Sequence, residues 1–506
     1  IERRSSVLDA ARPEAVARQR KRGALTARER VAALCDAGSF CEIGDLVRHE
    51  HLGLSAPGDG LVAGTASIGG RPVALISQDF TVFGGSAGHL GGKKHARVAR
   101  LALRHGMPLV MLFDGGGHRI EDGQNSRAYA EAGSMFQEMA RLSGWVPVVG
   151  CFLGAGFAAN TNYAGMADFV VMVRGKATMG IAGPALVKAG TGEVVTAEAL
   201  GGAGTQVDRH GLADLGVDSE EAAFEAVRRF LSYLPSNARA AVPRQPAGPD
   251  ADAPARAERL LRAVPSNTRQ SYDVRPVIDA IADPDSVFEL KPTFARNLVT
   301  AFGRLDGRPV GFLANQALVA GGTIDSAACE KGARFIATCD AFGLPLLTLI
   351  DVPGFFIGSQ AEATMLGRRS AKLIYELGHA TVPRLSVVLR KGYGLGYYAM
   401  AGGRSFDADA CFAWPTAEIC AMSVEGSVDV AYRRDYEAAP DPAKRRQEII
   451  DSIRARIGPL QAAEGFGIDD LIDPRTTRRR LIEALRRAPD RRDIGMPPKF
   501  RSISPV

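Results

Sequence analysis

Two small-residue segments in each half of the sequence are the best candidates for chemistry. The first half has residues 114–119 and 154–160, and the second half has residues 351–356 and 390–397. Each segment follows an apolar run that is typical of a buried strand, and the later segment of each pair leads into a predicted helix. Small residues at such a turn allow free backbone N–H groups and the helix dipole to converge on a negative atom. Each half could therefore hold one oxyanion.

Two other interpretations of these glycines remain open. Glycines at strand-to-helix joints often serve only close packing of the helix on the sheet, but their occurrence at equivalent places in both halves favours binding. Gly154, Gly156 and Ala159 also fit the dinucleotide-binding fingerprint, which requires an acid at the end of the next strand. The next predicted strand ends instead in Arg174. A nicotinamide site is therefore not favoured.

Side chains suited to acid–base chemistry are sparse in the sequence. It contains neither the Gly-x-Ser-x-Gly turn of hydrolases nor a phosphate-binding loop that ends in Gly-Lys-Ser/Thr. Among eight scattered histidines, only His118 lies beside a glycine run, where a structural or substrate-contact role fits better than catalysis. A chain rich in backbone donors indicates enolate chemistry, with the proton acceptor belonging to a cofactor. The seven cysteines form no Cys-x-x-Cys pair, so we expect no zinc and reduced core thiols.

An internal repeat sets the elements that position these segments. Residues 64–117 return without a gap at an offset of 237 positions, so that Gly70 returns as Gly307 and Asp114 as Asp351. Each copy predicts a strand pair, a helix, a strand, a helix and a further strand, which is an α/β fold wound in the right-handed sense. We expect an N-terminal domain over 1–240, a linker over 241–272 and a C-terminal domain over 273–506.

Composition excludes several classes of protein. A hydrophobic content of 46% and a charged content of 23% describe a globular enzyme. No apolar run is long enough to span a bilayer and no signal peptide is recognisable, so we predict a cytoplasmic protein. The net charge of +6 is concentrated in three basic runs near the termini. These runs fit solvated helix faces or an anion-attracting rim better than a nucleic-acid surface, since no basic patch is interleaved with aromatic residues.

Five motifs give the sequence a specific resemblance that covers nearly the whole chain. The sequence resembles the carboxyltransferase (beta) subunits of biotin-dependent acyl-CoA carboxylases, in particular those of the propionyl-CoA and methylcrotonoyl-CoA types. The motifs occupy residues 81–86, 114–123, 351–355, 380–384 and 390–394.

The resemblance implies a fold, an assembly and an activity. The fold would be two tandem crotonase-like (ClpP/crotonase) β/α spiral domains, and the assembly a homohexamer built as a trimer of dimers, with each active site between the N-half of one chain and the C-half of its partner. A biotin carboxylase/biotin carboxyl carrier (alpha) subunit would carry the biotin, and no metal is implied. The activity would be carboxyl transfer from carboxybiotin, on the C-half side, to the α or vinylogous carbon of an acyl-CoA, on the N-half side, through a thioester enolate.

The resemblance also implies roles for individual residues. Backbone donors of the two oxyanion holes would be Ala158 and Ala159 in the first half and Gly394, Leu395 and Gly396 in the second. The implied substrate-binding residues are Gly84, Gly85, Gly115, Gly116, Gly117, His118, Arg119, Gly156, Phe157, Gly354, Phe355, Tyr393 and Tyr398.

The sequence departs from the family pattern at four places. Ala158-Ala159 replaces a Gly-Gly pair, Leu395-Gly396 replaces Gly-Ala, His118 replaces an alanine, and Tyr398 stands where propionyl-CoA members have Asp. These changes keep backbone donors but alter the pocket walls. A malonyl-type acyl-CoA decarboxylase or transcarboxylase, or a catalytically altered homologue that acts as an assembly subunit, therefore remain alternatives, and the acyl group is not determined.

Overall fold

The computed structural model describes residues 2–51, 54–130, 133–246, 252–404, 406, 408–491 and 502–504. The chain forms two compact units. The first extends to Ala241 and includes the described C-terminal residues 502–504, and the second begins at Val242. Within the described ranges, no helix is both long and apolar enough to cross a membrane.

The first unit is built on an eight-stranded sheet in the order β1-β4-β5-β6-β7-β8-β10, with β9 paired to β7, and β2 and β3 form a separate pair. Its strands are β1 (Cys41–Glu42), β2 (Arg48–His51), β3 (Leu54–Pro57), β4 (Leu61–Ile68), β5 (Arg71–Gln78), β6 (Leu109–Gly115), β7 (Val148–Phe157), β8 (Phe169–Val173), β9 (Thr178–Gly180) and β10 (Leu215–Val217). Its helices are α1 (Glu2–Ser5), α2 (Pro13–Lys21), α3 (Ala27–Leu34), α4 (His89–His105), α5 (Ile120–Gly123), α6 (Ser126–Tyr129), α7 (Ser134–Leu142), α8 (Ala159–Met166), α9 (Pro184–Thr191), α10 (Ala197–Gly201) and α11 (Glu220–Tyr233).

The second unit has a sheet of the same design, in the order β11-β12-β13-β14-β15-β16-β18, with β17 paired to β15. Its strands are β11 (Phe288–Leu290), β12 (Leu298–Leu305), β13 (Arg308–Asn315), β14 (Leu346–Val352), β15 (Arg384–Tyr393), β16 (Ala410–Ala413), β17 (Glu418–Cys420) and β18 (Asp470–Leu471). Its helices are α12 (Ala253–Ala263), α13 (Arg275–Ile281), α14 (Ser326–Phe342), α15 (Ser359–Ala363), α16 (Leu366–His379), α17 (Gly394–Ala399), α18 (Val424–Ala431), α19 (Arg433–Glu437), α20 (Pro442–Arg454), α21 (Pro459–Glu464) and α22 (Thr477–Arg487).

The two units confirm the predicted duplication and the α/β class. In each, an antiparallel hairpin leads into parallel strands with helical crossovers: β4–β5 then β6 and β7, and β12–β13 then β14 and β15. Local signals produce these elements, since Gly69 and Gly70 take the positive φ angles of a tight hairpin turn. Thr26 and Glu29 form the capping box that starts α3.

Two segments differ from the sequence prediction. Residues 154–156, predicted as a glycine loop, belong to β7, because this strand continues past its partner β8 and pairs with β9. Residues 241–272, predicted as a linker, contain α12, in which Leu260 is only 1% exposed and belongs to the core of the second unit. A helix with an apolar face gains free energy by covering that core.

Candidate active site

A buried aspartate ends the second parallel strand of each unit. Asp114 on β6 binds Arg30 of α3, with Oδ2 2.8 Å from Nη1, and Arg30 also makes a two-point pair with Glu220. Asp351 on β14 binds Arg390, with Oδ2 2.9 Å from Nη2. All of these side chains are at most 4% exposed. Buried charges require such partners, so each pair fixes the end of its strand in one position.

The segment that follows each aspartate lies against a glycine-containing loop from earlier in the chain, with the two backbones in direct contact. A Cβ on Gly115 would lie 2.1 Å from the Gly85 oxygen, so both positions must be glycine. Downstream, the Ala87 N–H donates to Gly117 O and the Arg119 N–H donates to Ala87 O, each at 2.8 Å. Backbone hydrogen bonds therefore hold the two loops together.

The same arrangement recurs in the second unit. The Ile324 N–H donates to Gly354 O at 3.1 Å, and the Phe356 N–H donates to Ile324 O at 3.0 Å. Gly322, the equivalent of Gly85, would bring a Cβ within 2.6 Å of Asp351 O. The predicted site residues Gly84, Gly85, Gly115, Gly116 and Gly117 thus come together in the first unit, as Gly354 and Phe355 do with the 320–324 loop in the second.

The start of a helix meets this strand end in each unit. Gly115 pairs with Gly156 across β6 and β7, and a Cβ on Gly117 would lie 3.3 Å from the Ala158 Cβ. In the second unit, a Cβ on Gly396 would lie 3.0 Å from the Gly354 Cα. The structure therefore joins the two candidate segments that the sequence placed separately in each half.

The turns into α8 and α17 are equivalent, with Ala158 corresponding to Gly394 and Ala159 to Leu395. Ala158 has φ 58° and ψ −128°, and Gly394 has φ 58°. Such a conformation is normal for glycine and strained for alanine. The Ala158 N–H donates to Gly180 O at 2.8 Å. It is therefore engaged rather than free, which differs from the prediction, because β9 lies against the end of β7.

Ala159 supplies a backbone donor at the first turn. It is the first residue of α8, and the first N–H groups of a helix have no acceptor within that helix. The helix dipole favours negative charge at this end. Leu395 holds the equivalent position in α17, where its side chain is 54% exposed and Gly396 behind it is buried.

Arg119 and His118, both predicted to bind substrate, lie in different environments. Arg119 is 3% exposed, and its Nη1 lies 2.9 Å from Asp59 Oδ1 and 3.4 Å from Asp122 Oδ2. Its charge is therefore neutralised inside the unit, where it holds three loops together. His118 is half-buried beside Tyr129, with ring centroids 5.6 Å apart, and burial lowers the pKa of its imidazole.

The aromatic residues around the second turn divide into two kinds. Tyr393 is 5% exposed and its hydroxyl donates to Glu418, and burial together with that carboxylate raises the pKa of the phenol. Tyr398 is 44% exposed on α17, one turn beyond the start of the helix. In the first unit, Phe157 is 9% exposed and packs against Gly180 and Gly183. Of these three, only Tyr398 presents a large accessible surface.

Two side-chain amides at the site were not predicted. Gln78 at the end of β5 accepts the Asp114 N–H at 3.0 Å and donates to Asn160 of α8 at 3.1 Å. A signal existed in the sequence, since Gln78 returns in the repeat as Asn315, which accepts the Asp351 N–H at 3.3 Å. Among the described residues, no group of three His, Cys, Asp or Glu side chains is arranged to hold a metal ion.

Comparison with known proteins assigns this site to a class. Residues 18–503 match the carboxyl transferase domain family, and the chain belongs to that family. The fold is the crotonase-like fold of its solved members, and the predicted identity as a carboxyltransferase (beta) subunit of the biotin-dependent acyl-CoA carboxylase class is confirmed.

Three relatives show how far the similarity extends. The propionyl-CoA carboxylase carboxyltransferase subunit of Haloferax mediterranei is 40% identical over 491 residues, covering 96% of this chain and 94% of the relative. A biotin-dependent acetyl-/propionyl-coenzyme A carboxylase beta5 subunit of Mycobacterium tuberculosis is 39% identical, covering 100% of this chain and 94% of the relative. The crystal structure of transcarboxylase 12S, a hexamer with methylmalonyl-coenzyme A bound, superposes with a TM-score of 0.93 at 38% identity, covering 100% of this chain and 97% of that chain.

Proposed function

We propose that this subunit transfers a carboxyl group from carboxybiotin, held by a partner chain, to the α carbon of an acyl-CoA through a thioester enolate. One observation carries the proposal: each unit places a helix start against the glycine end of a neighbouring strand. Gly117 meets the α8 turn at Ala158, and Gly396 of α17 meets Gly354. Two such turns suit a reaction in which two oxygens gain negative charge.

The residues of the first unit would act on the thioester. The Ala159 N–H would donate a hydrogen bond to the thioester oxygen. This hydrogen bond would strengthen as the enolate forms, so it would stabilise the transition state more than the bound substrate and lower the barrier. The Asp114–Arg30 pair keeps the strand end in place. Assignment of the acyl-CoA to this unit is supported by the family resemblance, and the methylmalonyl-coenzyme A named for the transcarboxylase 12S structure supports an acyl-CoA as the substrate.

The second unit would receive the biotin group. Its turn is closely packed, because a Cβ at Gly396 would meet the Val352 side chain at 2.9 Å and Gly354 at 3.0 Å, so only glycine lets the start of α17 lie against the strand end. When bound, the carboxylated ring supplies the activated carboxyl group and afterwards a proton acceptor. The N–H of Leu395 would hold the ring oxygen, and the exposed Tyr398 and Leu395 side chains would border the pocket.

The partners proposed are a second copy of this chain and a biotin-bearing chain. The hexamer named for transcarboxylase 12S supports a homo-oligomer, for which we propose a trimer of dimers with each site shared by the first unit of one chain and the second unit of another. A biotin carboxylase/biotin carboxyl carrier (alpha) subunit would supply the carboxylated group. A cytoplasmic location stays a prediction.

Transcarboxylation from a malonyl-type acyl-CoA is a second candidate. It is favoured by the similarity to transcarboxylase 12S over the full chain. Both reactions use the same two turns, and they differ in the donor that reloads the biotin. An assay of the isolated subunit that omits ATP therefore tests the shared step.

The test is decarboxylation of malonyl-CoA or methylmalonyl-CoA by the isolated subunit with free biotin at high concentration. This is the reverse of the proposed step, so activity should appear only with biotin. Gly396→Val should abolish it by displacing the α17 turn from Val352 and Gly354. Gly367→Val is the control, because a Cβ at Gly367 meets nothing within 4 Å. Decarboxylation at the same rate without biotin, or none with any malonyl-type ester that binds, would overturn the proposal.

A further inference from the structure

The Asn160 side chain bridges the start of α8 and the end of β6. Asn160 is the second residue of α8 and is 2% exposed. Its Nδ2 lies 3.5 Å from Gly115 O, and its Oδ1 accepts the Gln78 Nε2 at 3.1 Å. The nitrogen and the oxygen of this amide thus each form a hydrogen bond to the end of a strand. A buried amide with partners on two neighbouring elements fixes their separation.

Gln78 completes the connection. Its Oε1 accepts the Asp114 N–H at 3.0 Å. Three hydrogen bonds therefore link the end of β5, the end of β6 and the first turn of α8. The linked turn of α8 begins directly after Ala158, which holds a conformation unfavourable for an L-amino acid. Without such a link, the strain at Ala158 would favour a rotation of the turn that carries the Ala159 N–H.

The second unit is an internal comparison. Asn315 accepts the Asp351 N–H, as Gln78 does with Asp114, but its Nδ2 donates to Gly322 O at 3.2 Å. The position of Asn160 is held by Gly396, which has no side chain and instead approaches Gly354 directly. Its turn begins with Gly394, for which a positive φ carries no strain. The amide bridge and the strained alanine therefore occur together in one unit and are both missing from the other.

We propose that Asn160 is a positioning residue of the first site: together with Gln78 it holds the first turn of α8 so that the Ala159 N–H points at the thioester oxygen. The inference rests on the proposed function for the identity of that oxygen. A donor acts on a transition state only when its direction is fixed beforehand. Displacement of such a group by about 1 Å costs about a hundredfold in rate.

A purely structural role predicts different behaviour. If the amide pair only stabilised the fold, its loss would lower the temperature of unfolding without changing the kinetics of the folded enzyme. A positioning role predicts that Asn160→Ala lowers kcat about 10- to 100-fold while KM for the acyl-CoA changes less than about threefold. The measurement is biotin-dependent decarboxylation of methylmalonyl-CoA by the whole subunit, with thermal unfolding recorded in parallel.

Two further variants separate geometry from stability. The double variant Asn160→Gln/Gln78→Asn preserves both amides and the combined length of the two side chains. Asn315, the equivalent of Gln78 in the second unit, shows that an asparagine at this position can accept the N–H of the aspartate. The double variant should recover most of the kcat that each single substitution loses. Asn160→Asp lacks the donor to Gly115 O except when protonated, so its kcat relative to that of the unmodified subunit should rise as the pH falls.

A binding measurement keeps this inference distinct from the proposed function. A CoA thioether that ends in a nitronate, a stable anion resembling an enolate, is compared with the neutral ethyl thioether of CoA. The unmodified subunit should prefer the nitronate at least tenfold, and Asn160→Ala should lose most of that preference. If the unmodified subunit shows no preference, the proposed oxyanion site is wrong and this inference falls with it. If Asn160→Ala keeps both the preference and kcat, or the double variant recovers nothing, the positioning role is wrong and the proposed function stands.

Discussion

Gly154 and Asp114 lie so close that a Cβ on Gly154 would be 2.0 Å from Asp114 Oδ1. The equivalent place on β15 is held by Arg390, whose own guanidinium binds Asp351. Where the first unit has glycine, the guanidinium of Arg30 enters from α3 and makes the corresponding bond. The same buried ion pair is thus built in two ways, one within a single pair of strands and one with the help of a helix from the start of the chain.

Gly154→Ala should destabilise the first unit by about 3 kcal/mol. The added methyl group would displace the Asp114 carboxylate and leave the Arg30 guanidinium with one partner fewer in a buried place. Thermal unfolding gives the measurement. Gly92→Ala is the matched control, because a Cβ there meets nothing within 4 Å inside α4, and it should gain up to about 1 kcal/mol. Equal effects of the two substitutions would show that the contact at Asp114 is not a constraint.

Ala158→Gly should raise stability by about 1 kcal/mol. The strain of a non-glycine residue at φ 58° and ψ −128° costs about 1 to 3 kcal/mol, and the greater freedom of glycine in the unfolded chain offsets about 0.4 to 1 kcal/mol of the gain. The melting temperature should rise by about 2 to 4 °C. Ala159→Gly, one residue further and in the helical conformation, should lower it instead. A fall for both variants would contradict the strain assigned to Ala158.

His95 should make the first unit sensitive to mild acid. Burial lowers the pKa of its imidazole to about 4, and its Nε2 has no hydrogen-bond partner. In the unfolded chain the group titrates near 6.5, so below that pH the unfolded state binds more protons and stability falls until the pH reaches about 4. At pH 5 the loss relative to pH 7 should be about 2 kcal/mol.

The check is the change of the unfolding midpoint between pH 7 and pH 5 in His95→Leu and in the unmodified chain. The leucine variant should lose less stability over this interval, because an apolar side chain takes up no proton. His105, exposed at the end of α4, provides the control substitution to leucine and should leave the pH dependence unchanged. An identical slope for His95→Leu and the unmodified chain would mean that His95 is not held neutral.

Tyr398→Asp and Leu395→Gly should reorder the acyl-CoA substrates, because in the proposed shared site the second unit of one chain faces the acyl-CoA held by the first unit of another. Both side chains are exposed at the α17 turn, with 44% and 54% of their surface accessible. A change of this size in a pocket wall alters discrimination between homologous substrates by about 1 to 3 kcal/mol. The ratio of kcat/KM for acetyl-, propionyl- and longer acyl-CoA esters measures it. Tyr375→Asp on α16, also exposed, should keep the original order. The same proportional loss for every ester would place both residues in the packing of the fold instead.

Features that depend on neighbours in sequence could be predicted from the sequence. The hairpins turned at Gly69-Gly70, the start of α3 at Thr26 and the end of α4 at Gly106 follow from backbone preferences of a few residues. Recognition of the repeat depended only on these local signals occurring twice in the same order. The duplicated α/β architecture and the positions of the four candidate segments were therefore determined by the sequence alone. The resemblance to carboxyltransferases rested on the same local motifs and was confirmed.

The tertiary structure decided which of those residues are available for chemistry. Ala158 and Ala159 look alike in the sequence, but the Gly180 carbonyl engages the first N–H and the start of α8 leaves the second. In the sequence Arg119 resembles a substrate-binding cation, but in the structure it forms an ion pair with Asp59, sixty positions earlier. Arg30 gives no local sign that it will meet Asp114. Such pairings depend on where distant segments meet, and burial makes them obligatory because an unpaired charge or N–H group in the core costs several kcal/mol, roughly the scale of the whole stability of a domain.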